Sequence, residues 1–138
     1  MNLSRHTNLL LLQFFFCITG LAQRERIDSL KKILPALKDT ARIDCLNELS
    51  REYVQKEKKG SAIYFAGLAM QESKKINYIH GIAVALARQA RIVKHFDDDF
   101  IQAEKLGKES LSWFEKTDNK DGITNTYNEL TSSLHAQS

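Results

Sequence analysis

Apolar residues recur along most of the chain at spacings of three and four positions, with charged and polar residues between them. This spacing is typical of amphipathic helices, and no alternating apolar and polar stretch is long enough to predict a strand. Six apolar stripes predict six helices, which run from Ile27 to Leu37, Ile43 to Val54, Ala62 to Ile76, Ile82 to Val93, Phe100 to Phe114 and Ile123 to Leu134. The prediction is therefore an all-α fold.

Polar breaks separate the stripes and predict where the helices begin and end. Residues 58–60 end the second stripe, and the hydroxyl of Ser61 is suited to cap the third helix. Residues 97–99 are three aspartates, which predict a turn and a cap for the fifth helix. Residues 118–122 form the last break, so we expect the sixth helix to begin near Ile123.

The breaks and the small residues recur when the chain is compared with itself. A shift of 41 residues places residues 74–82 on residues 115–123, so that the glycine at each break coincides. The same shift pairs Ala62 with Ala103, Ala69 with Ser110, and Leu86 with Tyr127. A shift of 40 pairs Leu46 with Leu86 and Ser50 with Ala90. The recurrence predicts two related helix pairs and the first helix of a third.

Repeated helix pairs have a simple packing logic. One pair cannot cover its own apolar face, so successive pairs stack in a line and bury a continuous core. We expect small residues where two helix backbones approach closely and large residues in the gaps between pairs. The residues predicted to pack the repeats are Leu49, Ser50, Tyr53, Ala62, Ala69, Leu86, Ala90, Phe100, Ala103 and Leu111.

The repeated positions resemble the tetratricopeptide repeat (TPR). That pattern has Leu-Gly and then Tyr in its first helix, and Ala, an aromatic residue and Ala in its second. Matching positions are Leu49-Ser50, Tyr53, Ala62, Ala66 and Ala69 in the first copy, Gln89-Ala90, Val93, Phe100, Ala103, Gly107 and Ser110 in the second, and Leu130-Thr131 and Leu134 in the third. The aromatic position holds Ala66 and Gly107, and the closing proline is absent. The period exceeds the about 34 residues of the standard repeat and is similar to the variant of about 40–42 residues in bacterial sensor and regulator proteins.

The resemblance covers residues 39–138 and implies a fold and a binding surface. It implies antiparallel helix hairpins stacked as a short, right-handed, TPR-like solenoid, preceded by a lead helix at residues 23–38. In TPR folds the first helices of the pairs line a concave groove. The residues at the corresponding positions here, with those of the next turn, are Asn47, Arg51, Arg91, Lys94, Asn128 and Ser132.

Arginine and asparagine side chains in such a groove would suit an extended peptide. The amides of Asn47 and Asn128 would hold its backbone, and the two arginines would hold an acidic side chain or a C-terminus. The alternative is that Arg51 and Arg91 are solvated and pair with neighbouring acids such as Glu48.

The first 22 residues have the pattern of a secretory signal peptide. A weakly basic start precedes an apolar run at residues 9–18, and Gly20-Leu21-Ala22 supplies small residues before the expected cleavage site. The apolar run is about half of the ~20 residues that a membrane-spanning helix needs. We therefore expect an exported protein, periplasmic or secreted, with a retained signal anchor as the alternative.

Export would leave a nearly balanced chain with one thiol. Removing the signal peptide removes one formal positive charge and leaves a net charge of +2, too small to predict a nucleic-acid partner. Cys45 is then the single cysteine, so no disulfide can form within the chain, and we expect a buried structural thiol.

No motif in the sequence predicts catalysis, a cofactor or a metal. The four histidines are scattered, and only His95 lies beside acids, at residues 97–99. Calcium loops need alternating acids with a glycine at a fixed offset, and zinc sites need three or four clustered ligands. Neither a glycine-rich phosphate loop nor a serine-centred elbow occurs. We therefore expect no enzyme, no cofactor and no metal site.

The expected function is an exported TPR scaffold that binds a protein or peptide in its groove. The alternative, from the same resemblance, is the N-terminal sensory region of a histidine kinase or transcriptional regulator, with a further segment as its membrane contact. The unpaired last helix also predicts self-association.

Overall fold

The computed structural model describes the backbone of residues 25–135 and the side chains of residues 25–128. Over this range the chain is helical throughout, with no strand, so the prediction of an all-α fold is confirmed. The predicted signal peptide at residues 1–22 lies outside the described residues and stays a prediction.

The chain forms six α-helices and one short 3₁₀ helix within the described range. Residues 25–33 are helical and are called α1, and the 3₁₀ helix Leu34–Ala36 follows. The other helices are α2 (Asp39–Gln55), α3 (Lys59–Lys75), α4 (Ile79–Asp97), α5 (Phe100–Glu115) and α6 (Lys120–His135). From α2 onward each helix packs against the next one in the chain, and α2 also contacts α4.

Two predicted helix starts are wrong, and one predicted cap is confirmed. Ser61 does not cap α3, because that helix already begins at Lys59. The sixth helix begins at Lys120 instead of near Ile123, because the Asn119 side chain accepts a hydrogen bond from a backbone amide of its first turn. The cap of α5 is as predicted: Oδ1 of Asp99 accepts from the Gln102 amide at 2.9 Å.

The core lies along the inner faces of α2, α3 and α4. Leu46 and Ile43 of α2 are 0% and 1% exposed and pack with Ala69 of α3 and Ala85 of α4. Among the predicted packing residues, Phe100 and Leu111 are half-buried, as is Tyr53, whose ring stacks on Phe65. Those that are buried are Leu49, Ser50, Ala62, Ala69, Leu86, Ala90 and Ala103.

Small residues mark the closest approach of the two helices in each pair. The buried hydroxyl of Ser50 donates to the Ala62 carbonyl at 2.9 Å, which ties α2 to α3. Likewise, the buried hydroxyl of Ser110 donates to the Ala83 carbonyl at 2.8 Å, which ties α5 to α4. A hydroxyl can reach a carbonyl of the partner helix only where the two backbones are close, so these bonds fix the crossing points.

Helix α1 covers one end of the helix stack. Ile27 is buried against Cys45 and Leu49 of α2, with partly buried leucines around them. The exposed residues of α1 are mostly polar, and they include Glu25, Asp28, Ser29, Lys31 and Lys32. Helix α1 is therefore amphipathic, and its buried Ile27 packs on α2.

The turns repeat with the period found in the sequence. Each turn from α2 to α6 contains a non-glycine residue with a left-handed backbone: Glu57, Asn77, Asp98 and Asp118, with φ between 51° and 55°. The first and third of these residues are 41 positions apart, and so are the second and fourth. A left-handed residue just after a helix ends it by directing the following amides back to its last carbonyls. The repeat is therefore present in the backbone as well as in the residue types.

Two glycines occupy equivalent places where a first helix meets the preceding pair. A Cβ on Gly81 would lie against the Ser73 Oγ, 2.5 Å from the Tyr78 ring and 2.9 Å from Ile43. A Cβ on Gly122, 41 residues later, would lie 2.5 Å from the Phe114 ring. Real side-chain atoms do not approach this closely, so both positions need glycine for packing.

The buried thiol of Cys45 leads to a testable expectation. Its Sγ donates to the Leu30 carbonyl at 3.6 Å, and burial raises the pKa of the thiol, an effect that the nearby Arg42 charge partly offsets. Because the thiolate is the reactive form, Cys45 in a Cys17→Ser chain should react with Ellman's reagent far more slowly than glutathione at pH 8. Full reactivity should appear only in denaturant, and a native rate equal to that of glutathione would contradict the burial.

Candidate ligand-binding face

The helices α2 and α4 share a charged surface, which we call the α2–α4 face. Its position is shown by an ion pair between the two helices: Nη2 of Arg88 on α4 lies 3.6 Å from Oε1 of Glu48 on α2. Both side chains are partly exposed, at 16% and 32%. The predicted groove residues Arg51 and Arg91 lie three positions beyond these two, and residues three apart on a helix are neighbours.

Arg51 belongs to a cluster of ion pairs. Its Nη2 lies 2.5 Å from Glu48 and 3.2 Å from Glu52, and it is 29% exposed. Arg26 of α1 reaches the same two acids, at 3.2 Å from Glu48 and 2.9 Å from Glu52. Glu52 is only 3% exposed, so its carboxylate is held by two guanidinium groups in place of water. The pairing of Arg51 with Glu48 is the alternative that the sequence left open.

Asn47 is placed differently from the expectation. Its side chain is 2% exposed, and neither its amide nitrogen nor its amide oxygen has a hydrogen-bond partner. A side chain buried in this way is not open to a peptide on the surface, so the groove position predicted for Asn47 is corrected to an interior one. It faces inward because it follows Ile43 by one helical turn, on the side of α2 that packs against α4.

The remaining predicted groove residues lie on α4 and α6. Arg91 and Lys94 are half-buried on α4, Asn128 is exposed on α6, and each of the three interacts with another residue. The side chain of Ser132 lies outside the described residues, so its predicted place stays a prediction.

A cavity of about 360 Å³ opens between α4, α6 and the turn that joins α5 to α6. Its apolar lining includes Val84 and Ala87 of α4 and the ring of Phe114. Polar groups line the rest, namely His80, Arg88, Asn119, Asp121, Asn125 and Thr126. This volume is at the lower end of the roughly 300–1,000 Å³ that small-molecule sites occupy.

One edge of the cavity is fixed by a chain of hydrogen bonds. The Asn119 carbonyl oxygen Oδ1 accepts from the Gly122 amide at 2.8 Å, so its Nδ2 faces His80 and donates to Nδ1 of that ring at 2.9 Å. The neutral imidazole then carries its hydrogen on Nε2. His80 also packs edge-on against Phe114, with ring centroids 5.7 Å apart. The same amide therefore caps α6 and orients the histidine.

The acids beside His95 serve the turns between helices. His95 Nε2 lies 2.8 Å from Glu57, Asp97 pairs with Lys59, and Asp99 caps α5. Among the described side chains, no three of the His, Cys, Asp and Glu residues gather in a group that could hold a metal ion. Within the same part of the chain, no helix has both the length and the apolar character needed to cross a membrane.

Sequence reasoning missed three residues of this region, Arg88, His80 and Asn125. For Arg88 a signal was present, because it lies one helical turn before Arg91 and therefore on the same face. The other two line the cavity by virtue of how α6 meets α4, which helical spacing within one helix does not reveal.

The comparisons with known proteins add no relative. The chain matches no protein-family model, no curated protein and no solved structure. The helical fold, the repeated turns and the cavity are therefore described from this chain alone.

Proposed function

We propose that this chain is an exported TPR-like module that binds an extended protein or peptide segment on the α2–α4 face. The observation that carries the proposal is the 41-residue recurrence of the left-handed turns and of the close-packed glycines Gly81 and Gly122. Repeats joined in the same way set their first helices side by side, and a row of parallel helices forms an extended binding surface.

The charge of the face favours an acidic partner. Three arginines meet two glutamates in the cluster around Glu48, and Arg91 and Lys94 follow on α4, so positive charge exceeds negative charge. Guanidinium groups form charge-assisted hydrogen bonds with carboxylates, often two at a time. Complementary charge also steers a diffusing partner toward the correct face.

The proposal is tested on the two cations of α4, Arg91 and Lys94, since losing Arg51 would also disturb the buried Glu52. A random-peptide display selection on the full chain should yield acidic peptides. The Arg91→Ala/Lys94→Ala variant should bind a selected peptide at least about 10-fold more weakly at low salt, because even one hydrogen bond to a charged group contributes about 1.5–3 kcal/mol. Calorimetric titration at low and at high salt measures the difference, which should shrink as salt screens the charges.

The matched control removes two lysines from the exposed surface of α1. Lys31→Ala/Lys32→Ala changes the net charge by the same amount, at two exposed positions of that helix. It should leave the affinity for the peptide unchanged. Equal affinities for the two double variants, or a selection that yields no peptide above background, would refute the proposed face.

A further inference from the structure

The cavity beside α6 lies at a place that is closed in the preceding repeat. When α4 is placed on α2 by a shift of 40 residues, Ala87 corresponds to Asn47. When α6 is placed on α4 by a shift of 41 residues, Thr126 corresponds to Ala85. At the α2–α4 contact Asn47 is 2% exposed and Ala85 is 0% exposed. At the α4–α6 contact the methyl group of Ala87 borders open space. At this position the α4–α6 side therefore carries a methyl group where the preceding repeat carries a buried amide side chain.

The lining of the cavity is apolar at one side and polar at the other, without a dominant charge. Val84, Ala87 and the Phe114 ring offer apolar contact. Arg88 and Asp121 carry opposite charges, so neither a cationic nor an anionic ligand is favoured. Asn125 adds an amide that can both donate and accept.

An aromatic side chain with a polar end matches this lining. Its ring would contact Phe114, which already packs edge-on with His80, and aromatic rings in such arrangements attract one another beyond the area that they bury. A tyrosine hydroxyl or a tryptophan N–H would then reach the polar groups, which supply acceptors at Asp121 and Asn125. A purely aliphatic side chain would form no hydrogen bond with those groups.

We propose that the cavity is a side-chain pocket for one tyrosine or tryptophan residue of the bound peptide. The proposal rests on the proposed function, since it names a specificity pocket adjoining the same binding face. Tyrosine and tryptophan are also the residues that most often anchor protein interfaces, where they fill pockets with a dry centre and a polar edge.

The test uses Ala87→Asn, which installs the residue found at the equivalent place in the preceding repeat. Peptides selected on the wild-type full chain should carry a tyrosine or tryptophan at one fixed position. Ala87→Asn should weaken a selected peptide at least about tenfold, the effect typical of losing a buried anchor. The same peptide with alanine at the fixed position should bind wild type and variant equally, so that the two changes are not additive.

Two controls separate the pocket from general damage. Ala41→Asn makes the same replacement at an exposed position of α2 and should leave binding unchanged. Ala87→Val places two more carbon atoms in the cavity and should also reduce binding. It keeps the test decisive if Ala87→Asn does not fold. Thermal unfolding of each variant shows which ones are native.

A second measurement distinguishes failure of the pocket from failure of the proposed function. N-acetyl-tyrosinamide is titrated to about 10 mM, which is on the order of the dissociation constant of a weakly binding fragment. It should shift the amide resonances of Ala87, Gly122 and Thr126, whereas N-acetyl-alaninamide should not. Peptides that bind without an aromatic preference would overturn the pocket and leave the binding face intact. If no peptide is selected but these resonances shift, the proposed face is wrong and only the preference of the cavity for an aromatic group remains; no shift overturns the pocket.

Discussion

Replacing Gly81 by alanine is expected to lower the free energy of unfolding by about 1–3 kcal/mol, the usual effect of forcing an extra group into a filled interior. The added methyl group would meet atoms from three directions: the Ser73 hydroxyl, the Tyr78 ring and Ile43. Ser73 cannot easily move aside, because it is fully buried and its hydroxyl donates to the Ala69 carbonyl at 2.6 Å. Urea unfolding followed by circular dichroism measures the change.

The matched control is Gly67→Ala, which should have the opposite sign. Gly67 is an exposed residue of α3, and a Cβ there would meet nothing within 4 Å. In an open helical position alanine stabilises relative to glycine by roughly 0.5–1 kcal/mol. If both variants shifted the urea midpoint in the same direction, the close approach of α4 to the preceding helices would be contradicted.

Leu46→Ala is expected to destabilise the protein by about 2–5 kcal/mol, through lost burial and the cavity left behind. Leu46 is fully buried where α2, α3 and α4 meet, beside Ile43, Ala69 and Ala85. Since small domains have only about 5–15 kcal/mol of stability in total, this loss should move the urea midpoint far toward zero with little change in slope.

The control for Leu46 is another large aliphatic residue in a helix. Ile101 of α5 is 82% exposed, so Ile101→Ala removes no buried contact of comparable size. Its effect should stay within about 0.5 kcal/mol, as for most surface substitutions. A loss at Leu46 no greater than that at Ile101 would mean that the three helices do not share a core there.

The helices could be predicted from the sequence because each has its own apolar stripe and its own polar break. The aspartates at residues 97–99 predicted a turn and a cap, and both are present. The start of α6 was displaced because the Asn119 side chain caps it, and the start of α3 because backbone closure of the preceding turn determines it. The Lys58 amide donates to the Tyr53 carbonyl, which completes the turn just before Lys59 and leaves Ser61 inside the helix.

The candidate site was less predictable, because it depends on contacts between helices distant in the chain. Asn47 is a polar residue one helical turn after Ile43, and the burial of its side chain is visible only once the helices are packed together. The cavity is lined by residues of α4 and α6 and by Phe114 of α5, and helical spacing within one helix does not bring these together.

The equal geometry of the turns at Asn77 and Asp118 has a consequence for how the protein can change in length. In both, the amide directly after the left-handed residue donates to a carbonyl five residues earlier: Tyr78 to Ser73 and Asn119 to Phe114. A second copy of residues 79–119, inserted after Asn119, would enter its first helix through a junction that the chain already uses. One in-frame duplication of that gene segment would thus lengthen the protein by a helix pair without requiring any new kind of turn.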